Sequence, residues 1–106
     1  MSFHRESHNF ATSSGTGFFK TDHSLRGLIW QIIIDPTTST TKFDFTLLDS
    51  NGDSVLDWVS EVGSTNSGFG LEIPVSGYYT FKILNSTANE NFRIRFTVKE
   101  PVYSGN

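Results

Sequence analysis

Apolar and polar residues alternate with a period of two along most of this chain, and a helical period is nearly absent. The pattern is sharpest over residues 42–62, KFDFTLLDSNGDSVLDWVSEV. Asn51-Gly52 is the preferred pair for a two-residue type I′ hairpin turn, in which both central residues need a positive φ. That turn predicts a register in which Leu47 faces Leu56, Phe45 faces Trp58, Phe43 faces Ser60 and Lys42 faces Glu61. The large apolar pairs then share one face. Val55, Val59 and Val62 also fit a helical stripe ending at Gly63. The hairpin accounts for more residues, and Val and Trp favour strands.

Further strands are predicted over residues 16–23, over 27–35 (ended by Asp35-Pro36) and over 69–75. In the last of these Phe69, Leu71, Ile73 and Val75 point inward, and Pro74 marks an edge or a bulge. Tyr79, Phe81 and Ile83 alternate next. The loop from Asn85 to Glu90 follows, then Phe92, Ile94, Phe96 and Val98. Residues 3–11 read as an edge strand or a free arm, 63–68 as a flexible loop and 101–106 as a tail. The expected fold is all-β, an antiparallel two-sheet β-sandwich of jelly-roll type with about eight strands in one domain over residues 1–106.

The faces carry more apolar and charged groups than a solitary sandwich needs. If Leu28, Trp30, Ile32 and Ile34 point inward, Ile29 and Ile33 point outward around Gln31. The outer face of the hairpin carries Leu48 opposite Val55, with Val59 beyond. Placed in one sheet, Ile29, Ile33, Leu48, Val55 and Val59 form an apolar contact patch. Pairing Ile83 with Phe92 sets Lys82 opposite Arg93 and Thr80 opposite Arg95. Lys82, Arg93, Arg95 and Lys99 then make a basic strip. From Asp35 to Glu61 the balance reverses, with Lys42 alone against Asp35, Asp44, Asp49, Asp53, Asp57 and Glu61. Complementary strips suit the packing of identical copies, so a homo-oligomer is expected. The blander readings are a loop covering the patch and two ordinary solvated faces.

Composition narrows the class. With 106 residues and 14% aromatics the chain has the makings of one well-filled core. No cysteine is present, so neither disulfides nor thiolate metal sites are expected. A net charge of −3 argues against a nucleic-acid partner. No apolar run approaches a membrane span, and MSFHRESHNF lacks the basic-then-apolar pattern of a leader, so neither secretion nor a membrane partner is expected.

No chemistry-bearing motif stands out. His4, Glu6 and His8 fall on one face of a strand and offer metal-binding donors. At a chain terminus they read as a solvated arm, and His23 has no partner in the sequence pattern. Asp49, Asn51, Asp53 and Asp57 imitate a calcium loop, but Ser54 and Ser60 stand where Gly and Glu belong; a turn accounts for them. Ser64 and Ser67 lack a Gly-x-Ser-x-Gly elbow, no carboxylate pair is singled out, and Asn85-Ser86-Thr87 matches a glycosylation sequon by pattern alone. Tyr78, pointing opposite to Tyr79, is the best candidate for a glycan-stacking aromatic, ahead of Phe69 and Trp58. No catalytic, cofactor or metal residue is expected, and the protein is not expected to be an enzyme.

The segments FDFTLLDSNGD, IPVSGYYTFKILNST and NFRIRFTVKE resemble the bacterial pre-peptidase C-terminal type of jelly-roll sandwich, over roughly half the chain. Members of that family are usually secreted appendages of larger enzymes. In architecture and size the chain is also similar to accessory proteins of tailed-phage virions, such as capsid decoration proteins. That likeness implies a structural protein of the virion, assembled in the host cytoplasm and partnered by a capsid or other virion protein. The alternative is a carbohydrate-binding or adhesive module.

Overall fold

The computed structural model describes residues 2–100; the tail expected at 101–106 lies outside them. The described residues form nine strands: β1 (Ser2–Ala11), β2 (Gly17–Lys20), β3 (Leu25–Pro36), β4 (Lys42–Leu48), β5 (Ser54–Val62), β6 (Thr65–Asn66), β7 (Ile73–Gly77), β8 (Thr80–Leu84) and β9 (Asn91–Glu100). No helix among the described residues is long and apolar enough to cross a membrane.

One sheet runs β1-β9-β3, with β6 and β7 sharing the far edge of β3; the other runs β2-β8-β4-β5. All pairings are antiparallel. If β6 and β7 count as one position, the chain crosses between sheets in the jelly-roll order. Inward residues of both sheets meet in one core, which includes the fully buried Phe43, Phe45, Phe81, Phe92 and Phe96. Pro74 sits in β7, which among the described residues pairs only with β3, and at such an edge a missing N–H is tolerated.

Three local expectations are corrected. The Asn51-Gly52 turn is not type I′, because only Gly52 of the pair takes a positive φ (84°). Gly52 N–H donates to the Asp49 carbonyl, and the Asp49 carboxylate accepts the N–H groups of Asn51 and Asp53. The aspartate thus organises a longer turn. Leu47 still faces Leu56 and Phe45 faces Trp58, but Leu48 faces Ser54 rather than Val55. A second irregularity at the other end of the hairpin places Phe43 opposite Glu61 and Lys42 opposite Val62. There Ser60 takes a φ of 58°, and its N–H donates to Asp44 Oδ1 at 2.8 Å. Finally, β8 and β9 form no hairpin. Residues 85–90 carry the chain from one sheet to the other, so Ile83 does not pair with Phe92.

Residues 2–11 are not a free arm. They pair along their whole length with β9, and Phe10 and His8 stack on core aromatics. Removing residues 1–10 therefore removes a strand, and of the two expectations for this segment the edge strand is the one its described residues form.

Glu90 fastens the far end. Its carboxylate accepts the Thr38 N–H at 2.9 Å and the hydroxyls of Thr38 and Thr41. The backbone bond from Thr38 and these hydroxyls hold its pKa below the ordinary glutamate value. A depressed folded-state pKa means that the stabilisation is complete above the unfolded value. It is lost as pH falls through the folded one. Melting curves from about pH 5 to about pH 3 are therefore expected to fall more steeply for the wild type than for Glu90→Gln. Parallel curves would contradict the clamp.

Candidate functional site

The most developed surface feature lies on the outer face of the five-stranded sheet, and a bulge creates it. Between Ile29 and Gln31 the pairing of β3 with β9 shifts by one residue. A bulge interrupts side-chain alternation, so Ile29, Ile32 and Ile34 all face the core while Trp30 and Gln31 both turn outward. At the same place the far edge of β3 is left open. β6 covers Ile33 and Ile34, β7 covers Leu25 to Ile29, and residues 67–72 loop out between them. That loop is tied back by Ser67 N–H to the Ile32 carbonyl and Leu71 N–H to the Trp30 carbonyl.

The result is a groove of about 330 Å³ walled by Phe3, Arg5, Trp30, Phe69 and Thr97. Phe3 meets Trp30 edge-on with ring centres 5.8 Å apart, and Lys99 Nζ lies 4.6 Å from the Trp30 ring centre. Arg5 is held flat by donating to Gln31 Oε1 at 3.2 Å and Thr97 Oγ1 at 3.3 Å. Phe69, expected in the core, is 77% exposed. Aromatic walls beside fixed cations suit a flat apolar group, a sugar ring or an aromatic side chain of a partner.

Ile29 is 0% exposed, so its expected outward orientation is overturned by the bulge. Ile33 does face outward, opposite Arg95. Leu48, Val55 and Val59 belong to the other sheet, with Val59 69% exposed, so the five apolar positions do not form one patch. The basic strip divides in the same way. Lys82 lies in β8, beside Thr46 and Phe18, whereas Arg93, Arg95 and Lys99 lie in β9. Arg95 Nη2 bonds Asp35 at 2.7 Å, which takes Asp35 out of the acidic block; Arg93 Nε donates to Ser7. The remaining carboxylates, Asp44, Asp49, Asp53, Asp57 and Glu61, stay together on β4, β5 and their turn. Tyr78 is exposed but is not a wall of the groove, and its neighbour Tyr79 is buried.

A second constellation sits where the two sheets meet at β1 and β2. His4, Glu6 and His8 project from one face of β1, and His23 reaches them from the β2–β3 loop. Glu6 Oε2 is 3.0 Å from His4 Nε2 and 2.6 Å from His23 Nε2; Glu6 Oε1 is 3.0 Å from His8 Nε2. His23 Nδ1 is in turn 2.7 Å from Asp22 Oδ1. His8 is packed flat on Phe19, with ring centres 4.1 Å apart. Burial works to raise the Glu6 pKa, but hydrogen bonds from His8 and His4 and the charges of the nearby imidazoles outweigh it and leave it lowered. The bond to Asp22, helped by Glu6, raises that of His23. His23 was expected to have no partner; the fold supplies two.

No family model matches the chain, and no curated protein matches it. Among solved structures, one described as a structure of infectious bursal disease virus Gx strain is similar, at a TM-score of 0.38 and 8% identity. The match covers 99% of this chain and 32% of that one, so the chain spans about a third of that neighbour's length. So loose a superposition carries no functional argument.

Proposed function

We propose that the chain is a non-enzymatic structural protein of the virion, a decoration-type accessory protein that binds copies of itself and a shell protein. One observation carries this reading: two of its surfaces complement each other in both charge and apolarity. The outer face of β1, β9 and β3 is basic and aromatic, with Arg5, Arg93, Lys99, Phe3 and Trp30. The β4–β5 side is acidic and carries exposed Val55, Val59 and Val62 along β5, an edge strand. Such faces fit head to tail, a heterologous contact that repeats along an array and gains strength by multivalency. The groove, with Phe69 projecting beside it, is left for the shell partner.

Sedimentation at low salt is expected to show concentration-dependent association. Val59→Lys or Arg93→Glu is each expected to weaken it about tenfold, equivalent to about 1.4 kcal/mol, and added salt is expected to weaken it further. A monomer at high concentration and low salt would sink the reading. Many copies in purified particles, detected by mass spectrometry, would support the location.

The groove favours a second reading, a carbohydrate-binding module. In a glycan screen that reading requires binding that is lost in Trp30→Ala and kept in Tyr78→Ala, because Tyr78 lies outside the groove walls.

A further inference from the structure

We propose that His4, Glu6 and His23 form a binding site for a divalent transition-metal ion, zinc by the chemistry of its donors, which fastens edge strand β1 to the β2–β3 loop. The inference is independent of the association reading. It rests on convergence: the nearest ligand atoms of these three residues all lie within 4.8 Å of one another, although His23 comes from a different element than His4 and Glu6 of β1. Ligand atoms around a tetrahedral zinc at about 2.0–2.1 Å sit about 3.3 Å apart. The two imidazole nitrogens already approach one carboxylate oxygen at 3.0 and 2.6 Å. A small opening of the cluster accommodates an ion, whose binding displaces the protons now shared between the imidazoles and Glu6. Two imidazoles and a carboxylate are donors that zinc accepts readily and that calcium and magnesium do not favour.

The surroundings resemble those of a working metal site rather than a chance salt-bridge cluster. Asp22 holds His23 by Nδ1, which directs Nε2 at the ion. His8, clamped on Phe19, holds the other oxygen of Glu6 and so fixes the direction of the carboxylate. The Glu6 side chain is only 10% exposed, whereas His4 and His23 are half exposed. A cleft of about 210 Å³ bordered by His4, His23, Ser24 and Val98 gives an ion access and leaves room for a water as fourth ligand. With the ion in place, β1 is held by a bond beyond those that its sheet neighbour β9 supplies.

The test uses the full chain stripped with a chelator and titrated with Zn²⁺ alone by calorimetry, with Co²⁺ as a spectroscopic substitute. The expected result is one ion per chain, intense visible bands of four- or five-coordinate cobalt and a raised melting temperature. His23→Ala is expected to abolish all three, and Asp22→Asn to weaken affinity about 10–100-fold. Both variants change exposed loop residues, and a cooperative melting transition of each variant in chelator establishes that they fold. No saturable binding by the wild type would overturn the proposal. So would wild-type affinity in His23→Ala, which would mean that histidines of β1 alone capture the ion.

Discussion

Phe81→Ala is expected to destabilise the protein by about 3–5 kcal/mol, a large part of the total of about 5–15 kcal/mol typical of a single domain. Phe81 lies at the centre of the aromatic core. It is 0% exposed, stacks on Phe19 from β2 at 4.8 Å and on Phe96 from the opposite sheet at 4.6 Å, and touches Phe45 of β4 at 6.2 Å. One side chain therefore joins three strands of one sheet to the centre of the other. Its truncation leaves a cavity that rigid neighbouring rings cannot fill. Phe18, which precedes Phe19 in β2, pairs with Lys82 on the outer face and is 60% exposed. Phe18→Ala is the matched control, expected within about 0.5 kcal/mol of wild type. Urea unfolding followed by tryptophan fluorescence measures both. Similar losses for the two variants would refute this account of the core.

The same contrast explains what was legible in the sequence. Alternation reports which side of a strand is buried. It therefore identified Phe43, Phe45, Leu47, Phe81, Ile83, Phe92, Ile94, Phe96 and Val98 as core, and all nine are buried. It led to the sandwich class and to the Leu47–Leu56 and Phe45–Trp58 pairs. Alternation does not report which strands are neighbours. The chain between Leu84 and Asn91 is as compatible with a hairpin as with a crossing between sheets, and the basic strip drawn across that supposed hairpin fell apart for this reason. Nor does alternation survive a bulge. In the run Leu-Ile-Trp-Gln-Ile-Ile-Ile every position but Gln31 is apolar, so either phase looks equally good. The inserted residue turned Ile29 inward and Trp30 outward.

The groove was therefore hidden by two misassigned aromatics. The triplet Gly68-Phe69-Gly70 was the available signal, since glycines on both sides argue against a strand there and for a loop that displays its phenylalanine. The histidine cluster was hidden differently. His4, Glu6 and His8 were visible as one strand face, but His23 joins them only through the return of the chain from β2 to β3. Spacing in sequence cannot encode that contact. Both candidate sites thus depend on β1, which the sequence left undecided between strand and arm. As a strand it carries Phe3 and Arg5 outward to the groove and His4, Glu6 and His8 inward to the cluster.

Gly27→Ala is expected to be the most damaging substitution of a glycine, at about 2–6 kcal/mol from backbone strain and overpacking together. Gly27 has a φ of 123°, which residues with a side chain rarely adopt. Space is lacking as well. A Cβ there would press into the Lys99 carbonyl oxygen and lie 3.1 Å from Glu100 Cα. These are backbone atoms of β9, and β9 is fixed by β1 on its other side, so it cannot give way without loosening two pairings. Leu25 and Val75, both buried at that end of the sheet, would lose their packing with it. Gly52→Ala separates the two causes. Gly52 also has a positive φ, but nothing lies within 4 Å of an added Cβ, so only strain of about 1–2 kcal/mol applies. Denaturant titration of both variants decides the matter, and a Gly27→Ala loss no larger than that of Gly52→Ala would mean that β9 yields. Because Lys99 covers Trp30, any displacement of β9 by the new methyl group is also expected to reach the groove. Ligand binding there should weaken in Gly27→Ala and stay unchanged in Gly52→Ala.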